Sequence, residues 1–250
     1  MKAYAVIPAR YGSTRLPGKC ILPEAKAVTG KYIIEHVYFR VKEAKTIEGV
    51  VVATDDQRIY NVVKDFGGCV EMTSPEHNSG TERVAEVANE LDADIIVNVQ
   101  GDEPEVRPEM VDTAVSTLSD DPKAMMATLA NPILSLSELN DPNAVKVVID
   151  NNGYALYFSR SPIPYSTHSG GETLDQRTFF KHLGIYAYRR DFLINYVSLP
   201  PSRLEKIEKL EQLRAISNGY RIRVAVTPRR CHGIDTPEDF REFLDRYRNR

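Results

Sequence analysis

Three runs of the 250-residue sequence carry side chains suited to phosphate and to its counter-charge. The first is Ala9-Arg10-Tyr11-Gly12-Ser13-Thr14-Arg15-Leu16-Pro17-Gly18-Lys19, which holds two glycines, two hydroxyls and three cations without one acid. Charge-assisted donors together with backbone that can approach closely are what a triphosphate requires. The run is not a Walker A loop, because five residues separate Gly12 from Gly18 and Cys20 follows the lysine where a hydroxyl residue would stand. It is not a GxGxxG fingerprint either, and a merely solvated basic loop stays open. The second run, Asn98-Val99-Gln100-Gly101-Asp102-Glu103-Pro104, sets an acid beside a glycine. Asp102 is therefore a candidate Mg²⁺ ligand, since magnesium takes one or two carboxylates plus phosphate oxygens. Its alternative is a helix cap. The third run, Cys231-His232-Gly233-Ile234-Asp235-Thr236-Pro237-Glu238-Asp239, brings a second acid of this kind, Asp235. Asp235 or Thr236 before Pro237 also reads as a helix start, and that alternative is the stronger one here.

Such residues need a scaffold, and the chain supplies one. Ala3–Pro8, Gly49–Thr54 and Ile95–Val99 are short continuous apolar runs that read as buried strands. Lys31–Ala44, Gln57–Phe66 and Glu82–Leu91 read as the helices between them. The alternation predicts a Rossmann-like α/β sheet, mostly parallel, with helices on both faces. The first two chemical runs follow directly on strands, at the carboxyl edge where open α/β sheets bind ligands.

After Asp121 the pattern becomes mixed α+β. Strands are expected at Ala124–Leu129, Gly184–Tyr188 and Arg221–Val226, with a hairpin of Val145–Asp150 and Tyr154–Phe158 turning through Asn151-Asn152-Gly153. Ser161–Asp175 reads as a polar loop, Ser202–Ser217 as one helix and Pro237–Tyr247 as a closing helix. The predicted organisation is a nucleotide-binding α/β domain of residues 1–130 and 221–250, with a smaller lobe, 131–220, inserted in it.

Composition narrows the functional classes. The 32 basic and 35 acidic residues give a net charge of −3, which disfavours a nucleic-acid or anionic-membrane coat. The longest uncharged stretch, 14 residues from Ala124 to Ser137, is shorter than the roughly 20 apolar residues of a membrane span. Met1–Leu16 lacks an apolar segment of the export type, and three widely spaced cysteines suit a reduced, cytoplasmic protein. The charge is unevenly spread: Met1–Lys31 holds six basic residues and one acid, and Ala85–Asp121 holds eleven acids and one base. Solvated surface accounts for most of these acids.

The motifs taken together resemble a known family. The run Ile7–Lys19 (IPARYGSTRLPGK), with Ser79–Arg83 (SGTER), Val97–Pro104 (VNVQGDEP), Asn143–Val148 (NAVKVV), Gly153–Pro162 (GYALYFSRSP), His182–Tyr188 (HLGIYAY), Leu210–Arg214 (LEQLR) and Gly233–Asp239 (GIDTPED), is similar in content and order to the 3-deoxy-manno-octulosonate cytidylyltransferases, the CMP-Kdo synthetases. The resemblance implies transfer of a cytidylyl group from CTP to the anomeric hydroxyl of Kdo, with release of pyrophosphate, for lipopolysaccharide biosynthesis. It implies the nucleotide-diphospho-sugar transferase fold, an Mg²⁺ requirement and a cytoplasmic homodimer with no nucleic-acid or membrane partner. By motif position, Ala9, Arg10, Gly12, Arg15, Lys19, Ser79, Gly80 and Arg83 would bind the nucleotide. Asp102 and Asp235 would hold the metal, and with Arg10 and Lys19 they form the expected catalytic set. Gln100, Arg160, His182, Tyr186, Glu211 and Gln212 would bind the acceptor. A related acceptor, such as 8-amino-8-deoxy-Kdo or a sialic acid, and a catalytically silent nucleotide-binding regulator are the competing readings. The chain departs from the family where Cys20-Ile21-Leu22-Pro23-Glu24-Ala25-Lys26-Ala27-Val28-Thr29 replaces a short turn, with Cys20 where proline is common and Tyr32 after Lys31.

Overall fold

Strands that are buried on both faces need apolar side chains at every position, and the first unit of the fold is built from such strands. A computed structural model describes residues 1–13, 15–165 and 177–248. Chain contacts divide into two units, Met1–Asp112 with Cys231–Arg250, and Thr113–Arg230. In the first unit β1 (Ala3–Ala9), β2 (Gly49–Thr54), β3 (Val70–Met72) and β4 (Ile95–Asn98) form a parallel sheet in the order β3-β2-β1-β4. Helices Ile33–Lys42, Gln57–Asp65 and Gly80–Glu90 connect these strands and pack on them. Asp56 and Ser79 cap the second and third of these helices through side-chain oxygens.

The strand order reverses between β1 and β4, because the chain leaves β1 for one side of the sheet and returns to the other. A crevice opens at such a switch point, beyond the carboxyl ends of the two strands. The loops that follow β1 and β4 are those carrying Arg10–Lys19 and Asp102.

The segment that departs from the family is ordered as structure. Lys19–Ile21 makes a 3₁₀ turn, Pro23–Thr29 a short helix, and Gly30 closes that helix at φ 80°. Ala25 of this helix joins Ile33, Ile234, Phe240, Phe243 and Leu244 in one buried cluster. The closing helix, Pro237–Arg248, is thereby fixed on the first unit, and the Gly233–Asp239 run is delivered to it.

In the second unit, β5 (Met126–Pro132), β6 (Lys146–Ile149), β7 (Ala155–Ser159), β8 (Phe180–Arg189) and β9 (Ile222–Val226) pair in the order β7-β6-β8-β5-β9. Only β5 and β9 are parallel in this set. The contacts thus group Met126–Pro132 and Ile222–Val226 with the second unit. Residues 166–176 of the expected polar loop lie outside the described residues, as does Thr14.

One expected helix is two. Ser202 opens Arg203–Glu208 with a reciprocal Ser202–Glu205 box, and Lys209 then takes a left-handed φ of 53°; Leu213–Ser217 follows as a separate turn. Apolar residues at three-residue spacing, Leu204, Ile207 and Leu210, are what one helix would need along a buried face. Leu204 and Ile207 are instead 41% and 67% exposed, so no single face runs through the segment.

Candidate functional site

The crevice of the first unit is a cavity of about 270 Å³ lined by polar side chains from both switch-point loops. The loop after β1 folds on Tyr11, whose carbonyl accepts from Ser13 N and Gly18 N at 2.9 Å each. Gly18 is required there: its φ is 67°, and a Cβ would lie 2.8 Å from the Tyr11 ring. This closure directs Arg10, Arg15 and Lys19 at the cavity. Gly101 answers a different demand, since its Cβ would meet the Pro8 carbonyl at 2.9 Å. It permits β1 and β4 to converge at their ends.

Lys19 lies at the centre of the charge arrangement. Its Nζ donates to Asp102, to Asp235 Oδ1 at 2.9 Å and to the Ile234 carbonyl at 2.9 Å. Burial works against the ammonium, yet Asp102 and Asp235 outweigh it and raise the Lys19 pKa above the ordinary lysine value. Arg15 Nη2 approaches Asp235 Oδ1 at 3.1 Å. Beside them the buried Cys20 thiol, pushed up to about 12 chiefly by burial, faces the Gly101 carbonyl at 3.6 Å.

The alternatives for the two acids can now be judged. The Asp102 carboxylate is engaged with Lys19, and the helix that follows it begins only at Pro108. At the closing helix, Asp239 N donates to Thr236 Oγ1 at 3.1 Å, and the Asp239 carboxylate accepts from Asp235 N and Thr236 N. Thr236 and Asp239 close the helix start between them, so the Asp235 carboxylate turns to Lys19 and Arg15.

Ser79 and Gly80 line the same cavity at the head of helix Gly80–Glu90. Arg83, expected by motif position to bind the nucleotide, is 3% exposed and pairs across the sheet edge. It donates to Asp55 Oδ2 at 2.8 Å, to Thr73 Oγ1 and to the Ser74 carbonyl at 3.4 Å. Gln100 lines the cavity and donates to Asn98 Oδ1 at 3.2 Å. Of the first unit's expected site residues, Gly12 alone is not in the cavity wall, and a Cβ there would meet nothing within 4 Å.

Sequence reasoning overlooked His77 and Asn78, which line the cavity just ahead of Ser79. His77 Nε2 bonds to Glu86 within the helix that Ser79 caps. Asp55, at the end of β2, was also missed. Its only sequence signal is its place directly after a buried strand.

The second unit joins its expected residues through a row of rings. His182 packs against Phe158 and Tyr186, Tyr186 against Tyr188, and Tyr188 against Tyr196, at centroid distances of 5.2, 5.2, 5.8 and 6.2 Å. Tyr196 Oη donates to the Glu211 carbonyl at 2.6 Å. His182 sits at the bulge where β5 loses register with β8 between Thr128 and Leu129. Thr128 Oγ1 donates its one proton within β8, 2.8 Å from the Ile185 carbonyl, so its 3.0 Å contact with His182 Nε2 requires Nε2–H as donor. Burial pushes His182 down to about 3, which keeps the imidazole neutral with its lone pair on Nδ1. Glu211 and Gln212 lie between the two short helices, and Gln212 is 6% exposed.

Arg160 is held by carbonyls: Nε donates to Glu208 O and Nη1 to Pro142 O, both at 2.9 Å. Its peptide is braced by the Glu208 carboxylate, 2.9 Å from Arg160 N, and by the buried Lys146 ammonium, 2.5 Å from Arg160 O. Lys146 also escaped the sequence reading.

The family model described as Cytidylyltransferase matches residues 4–222. A 3-deoxy-manno-octulosonate cytidylyltransferase of Syntrophotalea carbinolica is 51% identical over 243 residues, covering 96% of each chain. One of Geobacter sulfurreducens is 48% identical over 252 residues, covering 98% of this chain and 99% of its own. The chain belongs to the 3-deoxy-manno-octulosonate cytidylyltransferase family. A solved structure of CMP:2-keto-3-deoxy-manno-octonic acid synthetase complexed with CTP agrees with a TM-score of 0.91 at 44% identity, covering 100% of this chain and 99% of that one. For a cytidylyltransferase of this family the oxygen set around Lys19 Nζ is informative. Two carboxylates and a carbonyl converge on one point, a hard-oxygen set compatible with magnesium when phosphates complete the coordination. No group of three His, Cys, Asp or Glu side chains forms a self-sufficient metal cage among the described residues.

Proposed function

We propose that this protein transfers the cytidylyl group of CTP to the anomeric hydroxyl of 3-deoxy-manno-octulosonate, releasing pyrophosphate and giving CMP-Kdo for lipopolysaccharide biosynthesis. The observation that carries the reading is the switch-point cavity, in which Arg10, Arg15 and Lys19 face Asp102 and Asp235. Its agreement over the full chain with a synthetase complexed with CTP supports the nucleotide.

CTP carries about four negative charges, which shield its α-phosphate from an anionic attacker until cations offset them. Arg10, Arg15 and Lys19 bind and orient the triphosphate. Lys19 is the most confined of the loop cations, at 11% side-chain exposure, and so fixes the phosphate position most tightly. Ser79 and Gly80 receive the ribose and base, with Arg83 clamped by Asp55 and Thr73 so that the segment does not shift on binding. Asp102 and Asp235 would hold Mg²⁺, which when bound offsets phosphate charge and acidifies the acceptor hydroxyl for in-line attack.

Acceptor recognition falls to Gln100, Arg160, His182, Tyr186, Glu211 and Gln212. Because neutral His182 cannot supply charge, the sugar carboxylate is matched by the Arg160 guanidinium, which two backbone carbonyls hold in place. His182 Nδ1 accepts from a sugar hydroxyl. A homodimer in the cytoplasm belongs to the same reading, and light scattering on the purified chain tests the dimer.

Pyrophosphate release from CTP, measured with Mg²⁺ and each candidate acid in turn, decides the function. Turnover highest with Kdo is expected. Preference for 8-amino-8-deoxy-Kdo or a sialic acid would change the acceptor, and no release with any acid would leave a nucleotide-binding regulator.

A further inference from the structure

All three protons of the Lys19 ammonium are used by the oxygens of Asp102, Asp235 and Ile234. Two of these acceptors, the Asp102 and Asp235 carboxylates, are the groups that the proposed function gives to a metal. Arg15 shares one oxygen of Asp235 but is 57% exposed, whereas Lys19 is 11% exposed and touches both carboxylates. Lys19 is thus seated between the two acids, and Arg15 only flanks them.

We propose that Lys19 is a built-in cation that keeps the Asp102–Asp235 pair closed to metal until a nucleoside triphosphate draws the lysine away. This inference rests on the proposed function, in which the same carboxylates take magnesium and the same lysine takes phosphate. Two converging carboxylates with nothing between them repel each other, and the ammonium removes that repulsion. A divalent cation arriving alone must displace Lys19 into a cavity that already holds Arg10 and Arg15, where no described acid other than the occupied pair lines the wall. Metal binding is weakened by that displacement. A triphosphate changes the exchange, because its oxygens receive Lys19 as the carboxylates are vacated. Nucleotide and metal then favour each other, and the coupling is reciprocal by linkage. Free enzyme would hold its two acids aligned and neutralised, without taking up metal that has no nucleotide to act on.

The test is Mn²⁺ binding to nucleotide-free protein, read from the electron paramagnetic resonance of the unbound ion. Lys19→Met should bind Mn²⁺ at least about tenfold more tightly than the unsubstituted chain. Arg10→Met removes the same charge from the same cavity without vacating the carboxylates, and should gain no more than about threefold. Lys19→Gln should follow Lys19→Met, and circular dichroism checks that each variant is folded. A Lys19→Met affinity no greater than that of Arg10→Met would overturn the inference. Adding Asp235→Asn to Lys19→Met should abolish the gain. A gain that survives this change would put the ion elsewhere and overturn the two-carboxylate reading itself.

Discussion

The Arg83–Asp55 pair offers the sharpest test of how the nucleotide segment is held rigid. Arg83 is 3% exposed and Asp55 has 22% of its side chain exposed, with 2.8 Å between Nη2 and Oδ2. Removing one partner of a fully buried pair costs about 3–5 kcal/mol, because the other charge is stranded. A charge-assisted hydrogen bond alone contributes about 1.5–3 kcal/mol. Partial exposure of Asp55 lets water recover some of the loss, so a coupling of about 2–3 kcal/mol is expected from the cycle of Arg83→Met, Asp55→Asn and the double variant. For a chain of this size the coupling alone corresponds to a fall in Tm of about 5–10 °C, and Arg83→Met, which also gives up Thr73 and the Ser74 carbonyl, should fall at least that far. Far-ultraviolet circular dichroism through thermal and urea unfolding measures it, as the chain has no tryptophan. Asp55→Asn, which leaves Arg83 bonded to Thr73 and the Ser74 carbonyl, should raise KM for CTP several-fold with kcat nearly unchanged. A coupling below about 0.5 kcal/mol would refute the claim that Asp55 immobilises Arg83.

Three other changes separate structure from chemistry. Thr236→Ala should cost about 1 kcal/mol through the lost cap while pyrophosphate release persists, whereas Asp235→Asn should abolish release with the helix intact. Gly101→Ala should destabilise by about 1–3 kcal/mol against the Pro8 carbonyl, whereas Gly12→Ala should leave Tm unchanged. His36, buried against Thr29 and Tyr247, is lowered from 6.5 to about 4 by burial, with Lys31 and Arg40 adding to it. Its unfolded form takes up a proton that the folded form refuses, so stability falls as pH drops from 6.5 towards 4, by at most about 1.4 kcal/mol per pH unit. Urea midpoints across that range should fall less steeply in His36→Gln.

Much of the first unit was legible because doubly buried parallel strands must be continuous apolar runs; β1, β2 and β4 could be read almost to their ends. β3 could not, since three residues carry no period, and helix Pro108–Ser119 was left unassigned. Pro23–Thr29 carries no helical period of its own, and its place is set by Ala25 in the cluster with Phe240 and Phe243. The break at Lys209 was hidden because three-residue apolar spacing continues through it, and only burial distinguishes Leu210 from exposed Ile207.

The site divides along the same line. Local sequence determined which side chains could meet phosphate and metal: three cations without an acid after one strand, an acid after another, and an acid before a proline. It also determined that these lie at strand ends, because the strands announce themselves by composition. Which partners the Asp235 carboxylate takes is decided by tertiary structure, since Thr236 and Asp239 close the helix and leave it facing Lys19. Tertiary structure likewise joined Arg83 to Asp55 and Asp102 to Lys19, pairs that are 28 and 83 residues apart in the chain. Helix periodicity and strand burial act over a few neighbouring residues and so leave a trace in the order of residue types. A salt bridge depends on where the sheet brings distant segments together, and no local pattern records that.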